Sequence, residues 1–212
     1  MNRHVMLVIS AAVMLTLIAW AGCQYQSETG QVPEESPEII EEMRSEETAV
    51  DEEEGPMAWI ITSSAFEDGE TIPEKYTDDG EDVSPPLTFE GVPEGTVEIA
   101  LICHDPDAPR AGGWTHWVAY GMAPDIGGLP EDVPAEETVE DPGLVQGENS
   151  WGNIGYGGPA PPPGDPHRYQ FRGYALSGAL ELEPGATQDE LEAAMEGRVI
   201  GEAMLEGLYG RD

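Results

Sequence analysis

The stretch that decides the fold lies in the middle of the chain, where residues 97–120 read VEIALICHDPDAPRAGGWTHWVAY. It opens with a β-branched and aliphatic run over residues 97–103 and closes with a second apolar run over residues 117–120. Apolar runs of this length, set between turn residues, predict strands. Residues 104–116 carry His, Asp, Pro and Gly instead. The sequence therefore predicts two strands with a polar, chemistry-bearing segment between them.

Further strand patterns lie on either side of this stretch. Residues 59–62 read WIIT, and residues 169–176 read YQFRGYAL, with partly alternating character. The chain also contains 26 Gly and 19 Pro among its 212 residues, a composition that favours a turn-rich β protein over a helical bundle. These patterns predict a mainly β domain.

One late helix interrupts the strand pattern. Thr187-Gln188-Asp189-Glu190 is a capping box, in which Thr and Glu satisfy the first free N–H groups of a helix. Apolar residues then follow at helical spacing: Leu191, Ala194, Met195 and Val199. The sequence predicts that Gly201 ends this helix and that a last strand covers residues 202–209.

The charge of the chain excludes several function classes. Asp and Glu number 43 against 8 Lys and Arg, which gives a formal net charge of −35. Nucleic-acid binding needs cations to neutralise phosphates, and electrostatic docking on an anionic membrane needs them too. Both are excluded as the basis of function. An acidic surface of this kind is typical of proteins adapted to high salt, which we keep as a hypothesis about habitat.

The N-terminal segment resembles a targeting signal. Residues 1–22 combine a short cationic start, an apolar middle and small residues directly before Cys23. This arrangement is similar to the lipobox of prokaryotic lipoproteins and predicts lipidation of Cys23. The alternative is an uncleaved anchor, since 18 residues from Val5 to Gly22 lie at the lower limit for a membrane span. Either interpretation places the rest of the chain outside the cytoplasm, membrane-anchored or secreted.

A strongly acidic segment follows. Residues 23–56 contain 12 Asp and Glu against the single cation Arg44, with too few apolar residues to bury a face. This composition predicts a disordered tether. Residues 57–212 form the predicted domain. Its one cysteine, Cys103, lies in an apolar run and is predicted to be a buried packing residue.

Two segments concentrate polar groups that a strand-and-turn fold does not need. They are residues 103–117 and 155–169, and together they hold all the histidines except His4. His116 and His167 offer imidazole donors, and Tyr169 offers a hydroxyl. Asp105 and Asp107 can accept from the imidazole rings, which would hold the rings in place and raise their pKa values. Gly157 and Gly158 lack a Cβ, so their backbone N–H groups can approach a ligand closely. The two segments predict a small anion pocket.

The same motifs, DPDAP at 105–109, GWTHW at 113–117, GGPAPP at 157–162 and HRY at 167–169, resemble the phosphatidylethanolamine-binding protein family. The likeness spans residues 58–209 and is strongest to the bacterial and archaeal branch called Raf kinase inhibitor-like. It implies an antiparallel β sandwich with short loops and a pocket for phosphate or phosphoryl head groups. Carried over by position, the resemblance assigns these residues to the pocket: Asp105, Asp107, Pro109, Trp114, His116, Ala160, Pro161, His167 and Tyr169. It also implies that Arg168 pairs with a carboxylate.

Three functions remain open at this point. The leading interpretation is a tethered binding protein for a phosphate-bearing small molecule or phospholipid head group, with no turnover, no cofactor and an unknown protein partner. The second is a His/Asp-dependent hydrolase, or a metal site built on His104, His116 and Asp105, although the chain lacks the motifs of a nucleophile elbow, a zinc protease or a Walker loop. The third is an inhibitor of an extracytoplasmic protease.

Overall fold

The computed structural model describes residues 58–212, so the predicted signal (1–22), the lipidation of Cys23 and the acidic tether (23–56) lie outside the described residues. Within the described range the chain forms strands, short turns, one 3₁₀ helix (Glu74–Tyr76) and one α-helix. In chain order the elements are β1 (Ile60–Thr62), β2 (Leu87–Glu90), β3 (Glu98–Asp105), β4 (Trp114–Met122), β5 (Gly128–Leu129), β6 (Thr138–Val139), β7 (Leu144–Gln146), β8 (His167–Leu176), α1 (Gln188–Met195) and β9 (Val199–Tyr209).

The strands form two sheets. One has three strands in the order β1-β2-β5, and the other has six in the order β6-β7-β4-β3-β8-β9. Every pairing between these strands is antiparallel. The mainly β, antiparallel class predicted from the sequence is confirmed, and the five predicted strands correspond to β1, β3, β4, β8 and β9.

Strand β3 lies near the middle of the larger sheet, and all eight of its residues are buried. Both of its faces are covered, which explains why its sequence is a continuous apolar run rather than an alternating one. One face packs against the smaller sheet in a core built from these side chains: Ile61, Leu87, Phe89, Ile99, Leu101, Cys103, Trp117, Phe171 and Leu205. Cys103 is therefore the buried packing residue that its context predicts.

The other face of the larger sheet packs against α1 through a second core, which contains Ala100, Ile102, Val118, Tyr120, Leu176, Leu191 and Met195. The capping box of this helix is present, with the Thr187 hydroxyl accepting from the Glu190 amide and the Glu190 carboxylate accepting from the Thr187 amide. None of the helices within residues 58–212 is both long and apolar enough to cross a membrane.

The predicted end of the helix is wrong. The helix stops at Met195, and Gly197 turns the chain with a φ of +72°. Val199, expected on the helix, already pairs with Leu176 in the sheet. Pairing with β8 over the length of β9 outweighs the helical spacing of the last apolar residue. Gly201, expected to end the helix, lies within β9, where a Cβ atom would collide with Pro93.

Candidate functional site

A cavity of about 320 Å³ lies at the edge of the larger sheet where β3 ends and where β4 and β8 begin. The two sequence segments singled out for their polar residues therefore meet in one place. All but one of the nine predicted pocket residues line it: Asp105, Pro109, Trp114, His116, Ala160, Pro161, His167 and Tyr169. Asp107 is the exception. The lining also includes four residues that sequence reasoning left out: Ala108, Arg110, Trp151 and Pro162.

A β-bulge in β4 positions His116. Cys103 pairs with Trp117 and His104 pairs with Thr115, which leaves His116 as an additional residue between the two pairs. A bulge breaks the alternation of side chains and re-aims the residues beside it. Thr115 thus shares the helix-side face with His104, whereas the His116 ring packs edge-on against Tyr169, with their ring centroids 5.0 Å apart.

His116 is held as a neutral ring. Its Nδ1 lies 2.6 Å from the carbonyl oxygen of Gly157, and since a carbonyl only accepts, Nδ1 carries the hydrogen. The residue is 3% exposed, and burial lowers the pKa of His116 to about 4 although the bond to Gly157 acts in the opposite direction. The raised pKa expected from the sequence is wrong for this ring, because burial outweighs the bond to Gly157 and the attraction of Asp105. Nε2 is left as an acceptor.

His167 is held differently, by a carboxylate. Its Nδ1 donates to Oδ2 of Asp105 across 2.8 Å, and Oδ1 of the same carboxylate accepts from the backbone amide of Asp107. Asp105 is 3% exposed, so both of its oxygens need partners, and both have them. Asp105 therefore fixes the orientation of one imidazole.

Asp107 belongs to the neighbouring surface rather than to the cavity. Its carboxylate accepts three N–H groups of Arg168, from the backbone at 3.0 Å and from Nε and Nη2 at 2.8 Å each. These bonds lower the pKa of Asp107 to about 2. The prediction that Asp107 accepts a hydrogen bond from an imidazole is wrong, because Arg168 binds its carboxylate. The carboxylate partner that the resemblance implies for Arg168 is Asp107.

Two buried donors at the cavity have no partner among residues 58–212. They are the hydroxyl of Tyr169 and the indole Nε1 of Trp114. Burial also raises the pKa of Tyr169, so its hydroxyl keeps its proton. Unpaired buried donors are rare because each costs about 1–3 kcal/mol. Both residues line the cavity.

The mouth of the cavity is aromatic with one cation. The guanidinium of Arg110 lies 5.0 Å from the centre of the Trp114 ring, within the range of a cation–π contact. Trp151, 44% exposed, packs edge-on against Trp114 and against His116, with ring centroids 5.1 Å apart in each case. Arg110 directly follows the DPDAP motif and could have been included on that ground. Nothing in the sequence around Trp151 indicates its place.

The two glycines predicted to offer N–H groups do not do so. The amide of Gly157 donates to the His116 carbonyl at 2.9 Å, and that of Gly158 donates to Asp82 at 2.6 Å. Glycine is needed here for close packing, since a Cβ at Gly158 would lie 2.7 Å from the Cα of Thr77. The expected backbone donors are therefore already satisfied by the protein.

The metal alternative finds no support in the arrangement of its three residues. His104 lies on the helix side of the sheet, where its Nδ1 is 3.2 Å from the Gln188 side-chain oxygen. Across residues 58–212, the structure contains no group of three or more His, Cys, Asp or Glu side chains placed to hold a metal ion.

Comparisons with known proteins agree with this architecture. The chain is 52% identical over 151 residues to the UPF0098 protein of Methanothermobacter thermautotrophicus, covering 71% of this chain and 98% of that protein. The crystal structure of a phosphatidylethanolamine-binding protein homologue of Chlamydia trachomatis is 40% identical, with a TM-score of 0.66, and covers 73% of this chain and 99% of its own.

E. coli YbcL, described as a member of the mammalian PEBP family, is 31% identical with the same TM-score, and covers 74% of this chain and 100% of its own. The sequence profile of the phosphatidylethanolamine-binding protein family matches residues 62–210. This match takes in β2 to β9 and every residue of the cavity. The chain therefore belongs to the phosphatidylethanolamine-binding protein family.

Proposed function

We propose that this protein binds a phosphate or phosphoryl head group in the cavity between β3, β4 and β8 and does not turn it over. One observation carries the proposal: two buried donors, the Tyr169 hydroxyl and the Trp114 indole N–H, belong to residues that line one cavity and have no partner among residues 58–212. Phosphoryl oxygens are strong acceptors and would satisfy both donors. Arg110 at the mouth adds a full cationic charge, the only one in the lining formed by residues 58–212 that does not depend on histidine protonation.

The acidic surface of the chain opposes anion binding at long range. The chain carries a formal net charge of −35, so an approaching phosphate is repelled until it reaches the local donors. Salt screens this repulsion over about 10 Å at 0.1 M, whereas the contacts within the cavity are screened much less. Phosphate affinity should therefore hold or rise with moderate salt, the opposite of binding by a basic patch.

The absence of turnover is supported by the chemistry of the lining. Within residues 58–212, the residues that line the cavity include no Ser, Thr, Cys or Lys. The hydroxyl of Thr115 donates to the Gln188 side chain on the other side of the sheet. Tyr169 is a poor nucleophile because its pKa is raised. A binding role needs none of these groups.

Calorimetric titration of the full-length chain with inorganic phosphate tests the proposal. We expect saturable binding to the native protein, weakened about tenfold in Tyr169→Phe because one donor to a charged group is lost. Tyr120→Phe is the matched control, since its hydroxyl donates to the Glu183 carbonyl on the opposite face of the sheet. Absence of saturable binding would overturn the proposal. Phosphate release from a simple monoester such as methyl phosphate would overturn the part that excludes turnover.

We further propose that the domain is tethered outside the cytoplasm through Cys23, a proposal that rests on the sequence of residues 1–56 alone. Metabolic labelling with a radioactive fatty acid should mark the wild-type chain and not Cys23→Ala. An unlabelled wild-type chain that stays with the membrane would favour the uncleaved anchor, and one released into the medium would contradict tethering.

A further inference from the structure

The two ring nitrogens of His116 have different hydrogen-bonding roles. Nδ1 must carry a hydrogen because its partner, the Gly157 carbonyl at 2.6 Å, can only accept. Nε2 is then an acceptor as long as the ring is neutral. Since His116 lines the cavity, Nε2 is the nitrogen left for a ligand, and it requires a donor.

The surroundings of His116 disfavour a protonated ring. The residue is buried between the rings of Tyr169 and Trp151, at centroid distances of 5.0 and 5.1 Å. Three ionisable groups lie around it: Tyr169 against the ring, Asp105, and His104 on the helix side of the sheet. Asp105 favours a charged ring but is engaged by His167, and His104 opposes a second positive charge. The pKa of His116, lowered to about 4, agrees with this geometry.

Three other groups of the cavity are donors, whereas a neutral His167, whose Nδ1 hydrogen is bound to Asp105, leaves its Nε2 as a second acceptor. The Tyr169 hydroxyl and the Trp114 indole N–H are buried without a partner in the described part of the chain, and the guanidinium of Arg110 lies at the mouth. A complementary ligand therefore presents several acceptor oxygens together with at least one hydrogen. The monoanion of a phosphomonoester, or dihydrogen phosphate, has this pattern. A phosphodiester has acceptor oxygens alone.

We propose that the cavity selects phosphoryl groups that carry a proton, in which the P–OH group donates to Nε2 of His116, and so prefers phosphomonoesters and inorganic phosphate to phosphodiesters. The inference rests on the proposed function of the same site. The inference separates free phosphate and monoesters from the diester head group of a phospholipid. An oxygen of the diester carries no hydrogen, so its lone pair would face the lone pair of Nε2 and the two would repel.

The test compares two small ligands, methyl phosphate and dimethyl phosphate, by calorimetry on the full-length chain at pH 6. We expect methyl phosphate to bind about tenfold more tightly, because a hydrogen bond to an ionic group is lost with the diester. The second pKa of a phosphomonoester is near 6, so affinity for methyl phosphate should fall about tenfold from pH 7 to pH 8. Affinity for dimethyl phosphate should stay constant over that range.

Two variants test whether the preference for the monoester arises at Nε2 of His116. His116→Gln can turn its amide NH₂ toward the ligand in place of the acceptor, so it should lose the preference for the monoester. Tyr169→Phe removes a donor that serves both ligands, so it should weaken both by the same factor and keep the preference. If His116→Gln does not fold, the ¹⁵N shifts of His116 in the wild-type complex decide, and they should report a neutral ring.

Three results would overturn the inference. Equal affinities for the two ligands would show that no proton is required. An imidazolium at His116 in the complex would show that the ring, rather than the ligand, supplies the hydrogen. A failure of both ligands and of inorganic phosphate to bind would overturn the proposed function itself, whereas binding of inorganic phosphate with no preference between the esters would overturn this inference alone.

Discussion

Strands β3 and β8 have two halves that differ in chemistry. Over Ile99 to Cys103, every side chain of β3 is apolar and buried, and this half pairs residue by residue with residues 171–175 of β8. At the other end, His104 and Asp105 are equally buried but polar, and each has a specific partner. The same two strands thus combine a packed core with a hydrogen-bonded site.

The difference shows how such a site is maintained. The apolar half gains free energy from area removed from water, which is non-directional. The polar half gains little net free energy and depends on every partner being present, because a buried group left unpaired costs about 1–3 kcal/mol. The apolar half therefore supplies stability, and the polar half supplies geometry.

Leu101→Ala tests whether the apolar half of the two strands supplies the stability. Leu101 is fully buried in the core between the two sheets, so we expect a loss of about 4 kcal/mol in the free energy of unfolding, from lost burial and the cavity left behind. Urea denaturation measures it. Met204→Ala is the control at a 52% exposed position of β9 and should change stability by less than about 0.5 kcal/mol. Similar losses in the two variants would contradict the assignment of stability to the buried half.

The pH dependence of stability reports the polar side. The folded-state pKa of His116 is lowered to about 4, below the value of 6.5 for an unperturbed ring. The unfolded chain therefore takes up protons first as the pH falls below 6.5, and the fold loses stability between pH 6.5 and 4. For His116 the loss by pH 4.5 is roughly 2–3 kcal/mol.

The measurement is the difference in urea denaturation between wild type and His116→Gln at pH 7 and pH 4.5. His104 contributes with the same sign, since its pKa is also lowered by burial, and it is present in both proteins. Asp107, with a pKa near 2, loses its stabilising effect only at lower pH. A pH dependence unchanged by the substitution would mean that His116 is not held neutral in the fold.

Asp105→Asn tests the hydrogen bonds that hold His167 in the polar half. One oxygen of Asp105 accepts from the Asp107 amide, so an asparagine must keep its carbonyl there and direct its NH₂ toward His167. We expect a stability loss of about 1–3 kcal/mol and a change of tautomer, with Nδ1 of His167 becoming an acceptor. The ¹⁵N shifts of His167 measure the change. A hydrogen still on Nδ1 of a neutral ring would contradict the arrangement.

The apolar half could be predicted from the sequence more completely than the polar half. Continuous burial leaves a clear apolar run at residues 99–103, and the capping box at Thr187 marks a helix start through local chemistry. The end of that helix could not be predicted, because Val199 suits a helix face and a strand equally. Its pairing with Leu176 decides between them, and this is a tertiary interaction.

Within the site, the residues were predictable and their hydrogen-bond partners were not. The motifs place His116, His167 and Tyr169 at one cavity, but the bulge that re-aims His116 depends on the register of β4 against β3. The partner of each imidazole depends on that register too, so one ring meets a carbonyl and the other a carboxylate. Trp151 reaches the cavity from a loop that carries no motif.

Arg168→Gln tests the smallest contrast, between the buried carboxylate of Asp105 and the exposed one of Asp107. The Arg168–Asp107 pair is bidentate but solvent-exposed, so we expect its loss to destabilise the fold less than Asp105→Asn does. Asp107 keeps the backbone amide of residue 168 as a donor, and water replaces the guanidinium. Urea denaturation at low and at 1 M salt measures the effect, which should shrink in the higher salt. A loss as large as that of Asp105→Asn would mean that Asp107 supports the cavity as strongly as the buried carboxylate does, and that burial does not separate the two roles.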